Sequence, residues 1–272
     1  MRCQSILGYR VAAETVESCI DQISAWLSSG ERRRFYACIN PHSAMVAESD
    51  PVFRKALLSA HLLTPDGVGI LLGSRIMGCR IRYRVTGSDI FHGLCRRLNE
   101  NMIRRYRLFF LGASQDALSR IEANLKKDYP NLVLAGAYSP PYKSEFSAAD
   151  SNSMIREINA VSPDVLWVGM TAPKQEKWIT QHLADLDVGF AGAIGAVFDF
   201  YSGRVKRSNP VFQEVGLEWL HRFSQEPGRL WRRNLISNPQ FLAKMIATRV
   251  VNGKTRPPME YRGAGDRRSN AH

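Results

Sequence analysis

Six short apolar runs, with stretches of helical spacing between them, constrain this chain more than any other feature of its 272 residues. The runs are 34–39 (RFYACI), 61–64, 108–111 (LFFL), 132–137, 165–168 (VLWV) and 188–194. They show little polar alternation, as expected of strands buried on both faces of a parallel sheet. The helical patterns fall at 15–29, 43–59, 67–76, 88–100, 114–128, 147–160 and 174–185, with Thr15, Ser43, Ser114 and Ser147 as candidate N-caps. Regular alternation of this kind predicts an α/β fold with a mostly parallel sheet and helices on both faces. The segment Ser139-Pro140-Pro141-Tyr142 reads as a surface loop.

Charge divides the chain. The formal net charge is +12, which points to an anionic partner. Residues 204–256 alone hold eleven Lys/Arg against three acids, a net of +8. Phe212, Trp219, Phe223, Trp231 and Phe241 are interleaved with those cations. Aromatic residues at helical spacing with arginines between them suit a membrane headgroup boundary, the cover of an anionic site, or helices packed on the sheet with their arginines reaching outward. The expected organisation is therefore a core over 1–203, a basic helical appendage over 204–261 and a disordered tail over 262–272.

Several classes are disfavoured. The five cysteines (3, 19, 38, 79 and 95) include no C-x-x-C pair, which fits a reducing compartment and no zinc ribbon. The N-terminus lacks an apolar segment of signal-peptide length. The longest apolar run, 188–198, has eleven residues, against about 20 for a membrane span. A cytoplasmic location is expected. The histidines show neither H-x-x-H nor H-E-x-x-H spacing, and neither a dinucleotide fingerprint nor a Walker A sequence is present. No metal and no cofactor are expected.

In an open parallel sheet, ligands bind beyond the C-terminal ends of the strands. Asn40-Pro41-His42 follows the first run, Pro65-Asp66-Gly67 the second, Gly112-Ala113-Ser114 the third, Gly169 to Glu176 the fifth and Gly195 to Asp199 the last. Asp66, between Pro65 and Gly67, is placed either as a general base on a hydroxyl or as a helix cap. Asn40 could bond a sugar or close a turn before Pro41. Gly112 opens a helix whose free N–H groups could hold phosphate. Lys174 and Gln175 lie in the first helical turn after Pro173, where a lysine opposes the helix dipole. Arg80, Arg82 and Arg84 would share a face in an extended segment, as a diphosphate site or a solvated edge. Asp185-Leu186-Asp187 has the D-x-D form of a metal–nucleotide site but precedes its strand, on the wrong edge of the sheet.

The motifs in order are N-P, T-P-D-G-V-G, R-V-T-G-S-D, F-L-G-A, V-G-M-T-A-P-K-Q-E-K-W-I, G-A-V-F-D-F-Y-S-G-R-V-K-R, G-L-E-W-L-H-R and E-P-G-R-L-W-R-R. Together they resemble the WecG/TagA/CpsF family, glycosyltransferase family 26, from about residue 6 to 233. The resemblance implies a Rossmann-like core and an inverting, metal-independent transferase. The donor would be a UDP-sugar carrying a hexose, an N-acetylhexosamine or its uronic acid. The acceptor would be a polyprenyl-diphosphate-linked sugar, in bacterial surface or exopolysaccharide synthesis. It implies attachment of the basic appendage to an anionic membrane, peripherally on the cytoplasmic face of the inner membrane. By matching motifs, Asp66 would be the catalytic base, and Asn40, Arg84 and Gln175 pocket residues. Arg222, Arg229, Arg232 and Arg233 would contact the diphosphates. The chain departs from some members at Cys38, where they carry Thr. Two other readings are another sugar-nucleotide enzyme, such as an epimerase or hydrolase, and a non-catalytic nucleic-acid-binding protein. Charge concentrated in one terminal segment argues against the latter, so no nucleic acid is expected as partner.

Overall fold

The computed structural model describes residues 1–205, 236–252 and 260–261. The chain opens with an antiparallel hairpin, β1 (Cys3–Ile6) and β2 (Tyr9–Ala12). Then come α1 (Val16–Ser28), β3 (Arg34–Ile39), α2 (Pro41–Ser49), α3 (Pro51–Ser59), β4 (Leu62–Pro65), α4 (Val68–Ile76) and α5 (Gly87–Asn99). They are followed by β5 (Arg107–Gly112), α6 (Gln115–Asp128), β6 (Val133–Tyr138), α7 (Ala148–Asn159) and β7 (Val165–Gly169). The described chain ends with α8 (Lys174–His182), β8 (Phe190–Ala193), α9 (Val197–Tyr201), α10 (Asn238–Asn252) and β9 (Glu260–Tyr261). Six strands form one parallel sheet in the order β4-β3-β8-β7-β5-β6. The hairpin and β9 make a second, antiparallel sheet in the order β2-β1-β9.

Each strand of the parallel sheet feeds two cores, because successive side chains point to opposite faces. Phe35, Ala37 and Ile39 of β3 join one core, and Tyr36 the other. Phe109 and Leu111 of β5 face the first, Leu108 and Phe110 the second. Leu166 and Val168 of β7 likewise oppose Val165 and Trp167. The first core receives side chains from the hairpin and from α2, α3, α7, α8 and α10. The second receives them from α1, α5, α6 and α9. The expected α/β architecture with helices on both faces is therefore the observed one.

Two local expectations change. The stretch 43–59 is two helices, because Pro51 cannot donate to the preceding turn and Asp50 caps the new helix, accepting from Phe53 N–H at 2.9 Å. The cap of α2 is Asn40, not Ser43, which lies at the third helical position and completes a reciprocal capping box. The hairpin and α9 are elements the periodicity did not predict.

Part of the expected appendage packs on the sheet domain. The α10 helix buries Phe241 and Met245 completely and lies against α4 and α2. It approaches α4 at Gly73, where a Cβ would come 2.7 Å from Phe241 Cε1. Ser237 and His42 share a 2.9 Å hydrogen bond just before α10, and Lys244 pairs with Glu48 of α2. Arg222, Arg229, Arg232 and Arg233 lie outside the described residues, as does the tail 262–272. Among the described residues no helix is long and apolar enough to cross a membrane.

Candidate active site

A cavity of about 600 Å³ opens at the C-terminal edge of the parallel sheet, over the ends of β3, β4, β7 and β8. Such an edge is where open α/β sheets take ligands. Asp66, Asn40, Arg84 and Gln175 all line it. These four residues lie far apart in sequence, and the strand order brings them together.

Asp66 stands one residue past β4. Its N–H bonds Ile39 O at 2.8 Å, which extends the β3–β4 pairing past the strand end. Pro65 O accepts from Val85 N–H at 2.9 Å, tying the Arg84 segment beside it. Gly67 follows at φ +93°, a conformation that disfavours any side chain, although nothing crowds the position. The turn is thus fixed by backbone geometry, and Gly67, not Asp66, is the N-cap of α4. The carboxylate is half-buried in the cavity wall and does not serve as the helix cap.

Asn40 has two duties. Its Oδ1 accepts from Ser43 N–H at 2.9 Å, and its Nδ2 makes no hydrogen bond among the described residues. The amide hydrogens are available to meet a ligand in the cavity. On β3 just before it, Cys38 sits in a polar triangle with Tyr36 and Thr64. Tyr36 Oη lies 2.9 Å from Cys38 Sγ and 3.0 Å from Thr64 Oγ1. Burial, helped by the nearby Asp66 charge, pushes the Cys38 thiol up to about 12, so it lines the cavity uncharged. Of the three alternating arginines only Arg84 lines the cavity.

Gln175 and Glu176 form the floor, both fully buried on the first turn of α8. Gln175 Oε1 accepts from Met170 N–H at 3.2 Å, and its Nε2 donates to Glu176 Oε1 at 2.9 Å. Gly195, after β8, packs its Cα face against the same amide. Glu176 Oε2 has no hydrogen-bond partner among the described residues, and burial raises this carboxyl to about 7. The sequence did not single out Glu176, because a glutamate in a first helical turn is ordinary; only its burial marks it.

A second group missed from sequence is the start of α5. Thr86 caps it in a reciprocal box with Asp89, and Thr86, Gly87 and Ser88 line the cavity. Ser88 Oγ is buried without a partner among the described residues. Asp199 of α9 also lines the cavity.

Two expected residues do not line it. Gly112 ends β5, on the far side of β7 from β8 and β3. Its φ of +121° and its contact with Gly169 O make it a close-approach residue between neighbouring strand ends. Lys174 turns away, donating to Lys143 O at 2.7 Å and lying over the Phe146 ring. The D-x-D lies before β8, at the opposite edge from the cavity. There Asp187 pairs with Arg32 at 2.7 Å and accepts from Ser162 at 2.5 Å. Among the described residues no group of three or more His, Cys, Asp or Glu side chains could hold a metal ion.

The sequence model described as "Glycosyl transferase WecG/TagA/CpsF family" matches residues 4–255. An N-acetylglucosaminyldiphosphoundecaprenol N-acetyl-beta-D-mannosaminyltransferase of Bacillus spizizenii is 30% identical over 220 residues, 81% of this chain and 81% of the relative. A protein of the same description from Bacillus subtilis is 28% identical over 255 residues, covering 94% of this chain and 95% of the relative. Another from Staphylococcus aureus is 22% identical over 241 residues, covering 88% and 91%. A match spanning nearly the whole chain, with this site at the sheet edge, settles the kinship.

Proposed function

We propose, for a chain that belongs to the WecG/TagA/CpsF family of glycosyl transferases, that its reaction is inverting transfer from a UDP-sugar to a polyprenyl-diphosphate-linked sugar. The observation that carries this reading is Asp66, held by backbone geometry at the sheet edge in a cavity shared with Asn40, Arg84 and Gln175. The relatives act on diphosphoundecaprenol-linked N-acetylglucosamine and transfer N-acetylmannosamine. UDP-N-acetylmannosamine is therefore the donor to assay first, in synthesis of a bacterial envelope polymer.

In this scheme an acceptor hydroxyl attacks the anomeric carbon from the face opposite the nucleotide. Asp66 takes the hydroxyl proton as the new C–O bond forms, and the bond to the UDP oxygen breaks with its electron pair. The departing diphosphate gains negative charge, which cationic donors must stabilise. Arg84, in the cavity wall, would serve this, and Arg222, Arg229, Arg232 and Arg233 would add to it. Arginine suits the task because it stays charged and binds phosphate through a planar fork. The same basic segment, 204–261, would hold the enzyme peripherally on the cytoplasmic face of the membrane, where its lipid-linked acceptor resides. Lysines and arginines contribute about 1 kcal/mol each near an anionic surface.

The test is UDP release from a panel of UDP-sugars with a lipid-diphosphate-linked sugar, in EDTA, for the wild type and Asp66→Asn. Acceptor-dependent release with one donor, lost in the variant, supports a metal-independent transferase using Asp66. Persistence in the variant removes Asp66 as base. Dependence on an added divalent ion removes metal independence.

A further inference from the structure

Glu176 is the one buried carboxyl in the cavity wall that has a bare oxygen among the described residues. Its Oε1 holds the Gln175 amide, whose Oε1 in turn holds Met170 N–H. No cation pairs with it among the described residues. Lys177, next along α8, is engaged by Asp50 at the start of α3. The ionisable groups that line the same cavity are Cys38 on β3, Asp66 after β4, Arg84, His42 on α2 and Asp199 on α9, and Cys38 interacts electrostatically with Glu176. A carboxylate ionised here would be desolvated and unpaired, which is costly. It would also set a negative charge, weakly screened by solvent, beneath a cavity that has to receive a diphosphate.

We propose that Glu176 is a proton-linked positioning residue of the ligand site: as the neutral acid it fixes the Gln175 amide, and binding of an anionic sugar nucleotide and protonation of Glu176 favour one another. This rests on the reading of the cavity as a sugar-nucleotide site. Burial, partly offset by the Gln175 hydrogen bond, already sets the carboxyl near neutrality, so a bound diphosphate makes ionisation harder still and draws a proton from solution. By linkage, raising pH through neutrality weakens binding to the same extent. Other ionisable groups line the same wall, so Glu176 must be isolated by substitution. Glu176→Gln does this, since it keeps an acceptor oxygen for the Gln175 amide and removes the charge.

The experiment is calorimetry of UDP and UDP-N-acetylmannosamine binding to the full chain, at pH 6, 7 and 8, in buffers of differing ionisation enthalpy. Subtracting the Glu176→Gln result cancels the contributions of the other wall groups and of the ligands. The wild type should take up protons near neutral pH and lose roughly tenfold in affinity between pH 6 and 8 beyond any loss in the variant. Equal proton uptake and equal pH slopes in the two proteins would overturn the proposal. If the variant does not fold, infrared spectroscopy of the wild type decides. A protonated-carboxyl band titrating near neutrality and growing on ligand binding is expected, and carboxyls that titrate only in their ordinary range would refute it. Failure of the wild type to bind either nucleotide would count against the sugar-nucleotide reading, and the infrared titration of the free protein would still judge Glu176.

Discussion

Asp66→Asn preserves side-chain shape and removes the ability to accept a proton. The backbone bonds that shape the turn, Asp66 N–H to Ile39 O and Val85 N–H to Pro65 O, do not involve the side chain. The fold and donor binding should therefore survive. Transfer should fall by about 10²–10⁴, the usual loss for a general base, with the fall in kcat and not in donor affinity. Equal loss of nucleotide binding would recast Asp66 as a binding group. Glu176 gives a residue-scale prediction about stability. Its folded value, about 7, lies above the ordinary 4.5, so between those pH values the folded chain holds a proton that the unfolded chain has lost. Stability from this group is full below about pH 4.5, falls as pH rises to about 7 and stays low above. Glu176→Gln should remove that fall, gaining on the order of 3 kcal/mol over the wild type at pH 8 relative to pH 4.5. Denaturant titrations at the two pH values would measure it, and parallel curves would contradict it. Glu176 itself was invisible in the sequence, where P-K-Q-E-K shows charges but not which of them is buried.

At the scale of elements, helix caps and strand runs were legible because they are local. Thr15, Ser114 and Ser147 accept the expected backbone hydrogen bonds, and each strand run lies within a residue or two of its predicted place. The hairpin was not legible. Its two-residue turn puts Leu7 at φ +51° before Gly8, and leucine gives no turn signal where Asn or Asp would. Packing between helices was also hidden. The α10 helix approaches α4 only because Gly73 leaves room for the Phe241 ring. Gly73→Val should push the two apart, at about 1–3 kcal/mol. The readouts are a lowered denaturant midpoint and faster protease cleavage near Phe241. An unchanged midpoint would mean that the Phe241 ring moves aside without cost.

For the molecule as a whole, the basic segment has to be divided by what it touches. Phe241 and Met245 belong to the main core, whereas the appendage arginines have only a proposed role at the diphosphates and the membrane. Removing everything after Gly203 should therefore do two things: lower the thermal midpoint, by exposing the seat of Phe241, and abolish transfer. Replacing Arg222, Arg229, Arg232 and Arg233 by Ala should leave the midpoint near wild type while reducing transfer and binding to anionic vesicles. That binding should also weaken as salt rises, since charges near the surface are screened within about 10 Å at 0.1 M. A quadruple variant that transfers normally would leave the segment a structural role only.

The sequence by itself determined the α/β class, most strands and caps, the basic segment and the family likeness, all of which follow from local spacing, composition or motif order. It also put Asp66, Asn40, Arg84 and Gln175 on one candidate list. Only the tertiary structure decided that these four share a cavity while Gly112 and Lys174 do not. Membership in the cavity depends on strand order: β5 lies beyond β7, so its end falls outside the β4-β3-β8-β7 group that the cavity covers. The same structure singled out Glu176. Burial is a property of what surrounds a residue, and those surroundings come from parts of the chain that local sequence does not bring together.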